Sequence, residues 1–153
     1  MSHPVDGDQA EYEASPDEWV KQQVAQYEAT GGVEGGTLEG KPVIILTHVG
    51  ARSGKVRKTP LMRVADGETY VIVASDGGAA AHPAWYHNLK AQPRVRLQDG
   101  ARVLDVVARE VHGAEKVRAW EVADAYWPHF PEYRAATDRE IPVMVLEPYT
   151  SES

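Results

Sequence analysis

The sequence predicts an α+β domain whose mainly antiparallel sheet curls into a small barrel. Two observations carry this. Apolar segments of strand length are joined through the turn dipeptides Asp66-Gly67 and Asp99-Gly100. Helical patterns are set between and around them, giving the order α, βββ, α, ββ, α, α, β, which suits helices packed on an antiparallel sheet. The chain has 153 residues, 42% of them apolar and 25% charged, the size and composition of one ordinary globular unit. It divides into an N-terminal tail and helix, residues 1–31, and a main domain, residues 32–153.

The first element is a helix. Ser15-Pro16-Asp17-Glu18 reads as a capping box with Pro at the first helical position, and Gly31-Gly32 is the stop. Trp19, Val20, Val24 and Tyr27 share a face of this helix, expected to pack on its own domain, with a peripheral membrane contact as the alternative. Next come strands at Val43–Leu46, at Val56–Val64, where Pro60 demands an edge or a bulge, and at Tyr70–Ala74, paired back through Asp66-Gly67. Ser75–Gly78 forms a turn, and His82-Pro83 opens a short helix that runs to about Gln92. Val95–Leu97 and Val103–Ala108 form a hairpin. A longer helix over about Ala114–Trp127 puts Val117, Trp120, Ala123 and Trp127 on one side. An aromatic stretch around Phe130 follows, and Ile141–Leu146 is apolar enough to return as a central strand.

Charge is distributed unevenly. The whole chain carries −7, yet between Gly40 and Ala65 there are six cations (Lys41, Arg52, Lys55, Arg57, Lys58, Arg63) and no carboxylate. A focused basic region on an acidic protein attracts anions. Gly50 and Gly54 are expected to turn the backbone tightly and aim N–H groups outward as a nest beside the cations. The start of the 82–92 helix would supply a second wall. The competing reading is a solvated turn with ordinary edge-protecting charges.

Several chemistries are set aside. No cysteine is present, so there is no disulfide and no thiolate nucleophile or ligand, in keeping with a reducing cytoplasm. The six histidines are scattered without metal-ligand spacing, and no Walker loop, dinucleotide fingerprint or nucleophile elbow is found. The acidic balance opposes nucleic-acid binding. The N-terminal stretch has the composition of neither a secretory signal nor a transit peptide, and no window approaches the length of a membrane span. What remains is an anion clamp, a helix N-terminus and an aromatic segment, the parts of a site for a large, flat, phosphorylated ligand.

Four motifs in fixed order then carry a resemblance: T-x-x-G-x-x-S-G-x-x-R-x-x-P at Thr47–Pro60, DGETYVIVASDGG at Asp66–Gly78, P-x-W-Y-x-N-L-K-A-x-P at Pro83–Pro93 and T-D-R-x-I-P at Thr137–Pro142, ending in Glu147-Pro148. From Lys41 to Pro148 the sequence resembles the deazaflavin (coenzyme F420)-dependent nitroreductases and quinone reductases of actinobacteria. The resemblance implies a split β-barrel of the kind that binds FMN or oxidises pyridoxamine phosphate. It also implies hydride transfer from reduced coenzyme F420 to quinones, enones or nitroaromatics, and a cytoplasmic enzyme with membrane association left open. Ala51, Arg52, Ser53, Arg57 and Lys58 match the family's phosphate and tail contacts. Thr59, Pro60, Leu61 and Met62, with Val73, Ala74, Ser75 and Asp76 and with Ala84, Trp85, Tyr86, His87 and Asn88, match positions lining the deazaflavin. Trp127, Phe130 and Tyr133 match an aromatic lid over the acceptor. Ser75 is expected to hydrogen-bond the developing oxyanion, and Tyr133 or solvent to supply the proton. The sequence departs from the family at Asp76, His82, Trp127 and Phe130. The same residues leave open an FMN-dependent split-barrel reductase or a non-catalytic F420 carrier, and Trp85 and the aromatic cluster also read as plain core.

Overall fold

In the computed structural model, which describes residues 12–15, 17–38, 41–75 and 81–149, eight strands form one antiparallel sheet with four helices. In chain order the strands are β1 (Thr37–Leu38), β2 (Lys41–Val49), β3 (Val56–Met62), β4 (Ala65–Asp66), β5 (Thr69–Val73), β6 (Arg94–Asp99), β7 (Arg102–Glu110) and β8 (Val143–Pro148). The helices are α1 (Glu18–Thr30), α2 (Ala84–Ala91), α3 (Gly113–Tyr126) and α4 (Phe130–Ala135). The ladder runs β1–β2–β6–β7–β8–β5–β4, with β3 also paired to β2. β3, paired to β2 near one end of the ladder, runs through Arg63 and Val64 into β4 at the other end, so the chain itself curls the sheet into the expected barrel, and the Val71 N–H donates to the Val64 carbonyl at 2.9 Å to continue the β4–β5 pairing. Six strands are long, as expected, and two are two-residue additions.

Strand alternation explains the apolar runs. Side chains two apart share a face, so Ile44 and Leu46, Tyr70 and Ile72, Val95 and Leu97, and Met144 and Leu146 fill the barrel. The intervening residues are buried on the outside. Val43 and Ile45 lie under Val24 and Tyr27 of α1, and Val143 and Val145 pack with Ala119, Ala123 and Phe130 of α3 and α4. That two-sided burial is why Val43–Leu46 and Ile141–Leu146 carry no alternation, and β8 does sit between β7 and β5.

Tyr27 fastens α1 to the sheet. Its hydroxyl donates to the Val43 carbonyl at 3.0 Å and accepts from the Gly100 N–H at 2.6 Å. Gly31, at φ 62, ends the helix in the left-handed conformation that glycine adopts without strain. Tyr27→Phe leaves the Gly100 N–H without that acceptor and is expected to cost about 1–3 kcal/mol. Urea denaturation checks this, and an unmoved midpoint would show that the hydroxyl contributes nothing.

Four sequence expectations need correction. Trp19 (57% exposed) and Val117 (59% exposed) face outward, so the apolar faces of α1 and α3 are narrower than their spacing suggests. The Asp66-Gly67 turn joins β5 only to the two-residue β4, while β3 pairs with β2 from Val43↔Met62 to Val49↔Val56. At the start of α1 the N-cap is Asp17 without a side-chain cap bond, and Ser15 Oγ accepts from the Asp17 N–H at 3.1 Å instead. Pro16 and the turn over Asp76–Gly78 lie outside the described residues. Pro60 sits where its missing N–H is tolerated, on β3, whose only strand partner among the described residues is β2.

Candidate functional site

The turn from Gly50 to Lys55 links β2 to β3 and forms one wall of a cleft of about 890 Å³. Gly54 takes φ 71 there, which a side chain would strain. The turn's N–H groups are largely spent internally: Gly50 N–H donates to Lys55 O (2.8 Å), Gly54 N–H to Gly50 O (2.9 Å) and Lys55 N–H to Ser53 Oγ (3.1 Å). Ala51 N–H donates to Asn88 Oδ1 at 2.8 Å. The Gly50 and Gly54 amides are therefore not among the outward N–H groups of the expected nest, because the turn closes on its own carbonyls.

The opposite wall is the N-terminal end of α2, which presents Ala84, Trp85 and His87 to the cleft and has no side-chain cap. The third wall is acidic. Glu13, Ser15 and Asp17 line the cleft with Trp19 and Val20. The Glu13 carboxylate lies 3.0 Å from Arg57, and Glu28 lies 2.7 Å from Lys58. Tyr12 bridges to Val56 along the edge of β3, with its ring 4.9 Å from the Lys58 ammonium. Arg63 is drawn off to Asp99 at 2.9 Å. Among the described residues Arg52, exposed at the cleft mouth, makes no ion pair.

A second cavity of about 350 Å³ adjoins the first, sharing Thr59, Pro60 and Trp85 with it. It is largely apolar, walled by Leu61, Met62, Val73, Ser75, Trp127, Phe130 and Tyr133 among others. Ser75 is buried, and its carbonyl accepts from Arg139 Nη2 at 2.8 Å, while Arg139 Nη1 meets His82 Nδ1 at 2.8 Å. Trp127 Nε1–H donates to the Tyr133 oxygen at 3.1 Å, which leaves the Tyr133 proton available.

The structure thus brings most of the sequence-selected residues to two joined cavities. Ala51, Arg52, Ser53, Arg57, Lys58, Ala84, His87 and Asn88 line the first, and Leu61, Met62, Val73, Ser75 and the three lid aromatics the second. Two selected residues lie elsewhere. Ala74 is fully buried in the barrel core. Tyr86 donates to Glu110 Oε1 at 2.7 Å, and burial together with that carboxylate pushes its hydroxyl up to about 12. Asp76 falls outside the described residues. Sequence reasoning missed the carboxylates of the third wall and His48, buried at the floor of the first cavity. Burial, with Arg57 adding to it, lowers the His48 imidazole to about 4, so it is neutral.

Comparison with known proteins now bears on this geometry. The family model described as F420H(2)-dependent quinone reductase matches residues 19–148. The chain belongs to that family. An F420H(2)-dependent quinone reductase of Mycobacterium tuberculosis, Rv1261c, is 38% identical over 126 residues, covering 80% of this chain and 85% of the relative. The solved F420-H2 dependent reductase FDR-A is 48% identical with TM-score 0.65 over 69% of this chain and 94% of its own. A chain solved as a domain-swapped dimer is 43% identical with TM-score 0.68, over 87% and 100%. The family, the split-barrel fold, the reductase class and the F420 dependence expected from the motifs are borne out. Among the described residues no helix is long and apolar enough to cross a membrane.

Proposed function

We propose that this F420H(2)-dependent quinone reductase family member transfers hydride from reduced coenzyme F420 to a quinone or a related conjugated acceptor, an enone or nitroaromatic included. One observation carries the reading: a polar, cation-bearing cleft runs over Thr59, Pro60 and Trp85 into an apolar slot. A ligand with an acidic arm and a flat ring needs those two environments joined in that way. The bound coenzyme supplies the hydride, and the chain binds, orients and excludes water. Arg52, Arg57 and Lys58 hold the acidic arm, and the apolar slot takes the ring and the acceptor. Ser75 and Tyr133 line that slot. The free Tyr133 proton suits it to neutralise an acceptor oxygen as charge develops, with Ser75 as a second donor. Residues 32–153 supply the barrel and most of the coenzyme-binding surface, and the flank over 1–31 adds Glu13, Ser15, Asp17, Trp19 and Val20 to the cleft wall. The absence of cysteine fits a cytoplasmic location.

The test is a mixture of the protein, reduced coenzyme F420 and menadione. Reoxidation of the coenzyme that depends on both protein and quinone is expected. Tight coenzyme binding without turnover over quinones, enones and nitroaromatics would make the protein a carrier. A yellow protein that holds FMN and ignores the deazaflavin would overturn the coenzyme assignment.

A further inference from the structure

At the floor of the first cavity a chain of hydrogen bonds has a direction that only its far end can fix. The Ala51 N–H can only donate, and it donates to Asn88 Oδ1 at 2.8 Å. This sets the amide, so Asn88 Nδ2 faces His48 Nδ1 at 3.2 Å as a donor. An imidazole that accepts at Nδ1 and is neutral carries its proton on Nε2. His48 Nε2 lies 2.9 Å from Thr59 Oγ1 and so donates to it. The Thr59 oxygen is thereby filled on the protein side, and its own proton is left to point away from His48. Thr59 is one of the three residues that line both cavities.

We propose that the Thr59 hydroxyl is a ligand-facing donor at the junction of the two cavities. His48 and Asn88 are the positioning residues that keep its proton turned toward an anionic or carbonyl oxygen of the coenzyme. The inference rests on the deazaflavin reading given above. It assigns a role to a buried histidine that the hydride transfer does not itself require. The opposite tautomer would set His48 Nδ1–H against the Asn88 amide donor, spend the Thr59 proton on His48, and offer the ligand only lone pairs. A donor held by such a relay also loses less freedom on binding than a free rotor.

Two measurements test it. The first needs no ligand: nitrogen-15 NMR of wild-type protein near neutral pH should show His48 protonated at Nε2 and bare at Nδ1. The Nδ1–H tautomer overturns the relay whatever binds. The second is coenzyme F420 affinity by fluorescence titration. Thr59→Val should weaken binding roughly five- to tenfold, the size of one hydrogen bond, and Thr59→Ser should keep it. His48→Leu removes the donor to Thr59 Oγ1 without adding charge to the cleft. It should weaken binding by a similar factor or less alone and add nothing in the Thr59→Val background, because both act through one proton. Where His48→Leu fails to fold, His48→Met takes its place in the same cycle. Thr59→Val binding within about twofold of wild type, or a His48→Leu penalty undiminished beside Thr59→Val, overturns the inference while leaving the coenzyme assignment standing. Failure of wild type to bind coenzyme F420 at all defeats both.

Discussion

Acidification from pH 6.5 toward 4 should remove about 3 kcal/mol of folding stability through His48 alone. The unfolded chain takes up a proton at this residue near its ordinary value of 6.5, whereas the folded protein resists until about 4. Between those values the unfolded state binds more protons, so stability rises with pH, is complete above 6.5 and has fallen fully by about 4. The cause is the imidazole's burial, with Arg57 a smaller contributor. Carboxylates titrate in the same range, so the informative quantity is a difference. Urea unfolding of wild type and His48→Gln at several pH values should show the wild-type advantage shrinking as the pH falls, because glutamine takes up no proton. A gap that stays constant with pH would show that His48 is not held neutral.

Loss of the Arg52 guanidinium should weaken coenzyme binding roughly tenfold or more, the size of a charge-assisted contact. Arg57→Ala should cost less than the composition of the turn suggests. Arg57 already holds Glu13 at 3.0 Å, so an incoming acidic arm exchanges one carboxylate for another. Arg52 makes no such pair among the described residues and is expected to give its full contact to the ligand. Glu13→Gln should then do the opposite of either arginine change and raise affinity, with the gain fading as salt screens these exposed groups. Fluorescence titration of the three variants at low and high salt checks the order. An Arg57→Ala penalty exceeding that of Arg52→Ala would show that Glu13 does not compete.

Local chemistry made much of the barrel readable. β2 and β8 announced themselves because burial on both faces demands unbroken apolar runs, and Pro60 fixed β3 to an edge because it cannot donate to a ladder. Strand partnership was less legible. The Asp66-Gly67 turn is a good hairpin signal, but β3 finds a longer match with β2 across the Gly50–Lys55 turn, leaving only Ala65 and Asp66 to pair with β5. The site was half visible for the same reason. Neighbouring cations in sequence revealed the turn, but the acids that answer them, Glu13 and Glu28, belong to the segment before the barrel and arrive only through the docking of α1. His48 looked like one of six scattered histidines until the fold set Asn88 and Thr59 on its two nitrogens.

The Tyr27 hydroxyl has a bearing on the order of assembly. It touches Val43 in one hairpin and Gly100 in another, residues far apart along the chain, so its bonds complete only after both hairpins have come together. We expect the first helix to seat after the rate-limiting collapse, because that contact needs both hairpins in place. The Tyr27→Phe substitution should accordingly hasten unfolding and leave the refolding rate almost untouched, which makes this one oxygen a latch on the lifetime of the native protein.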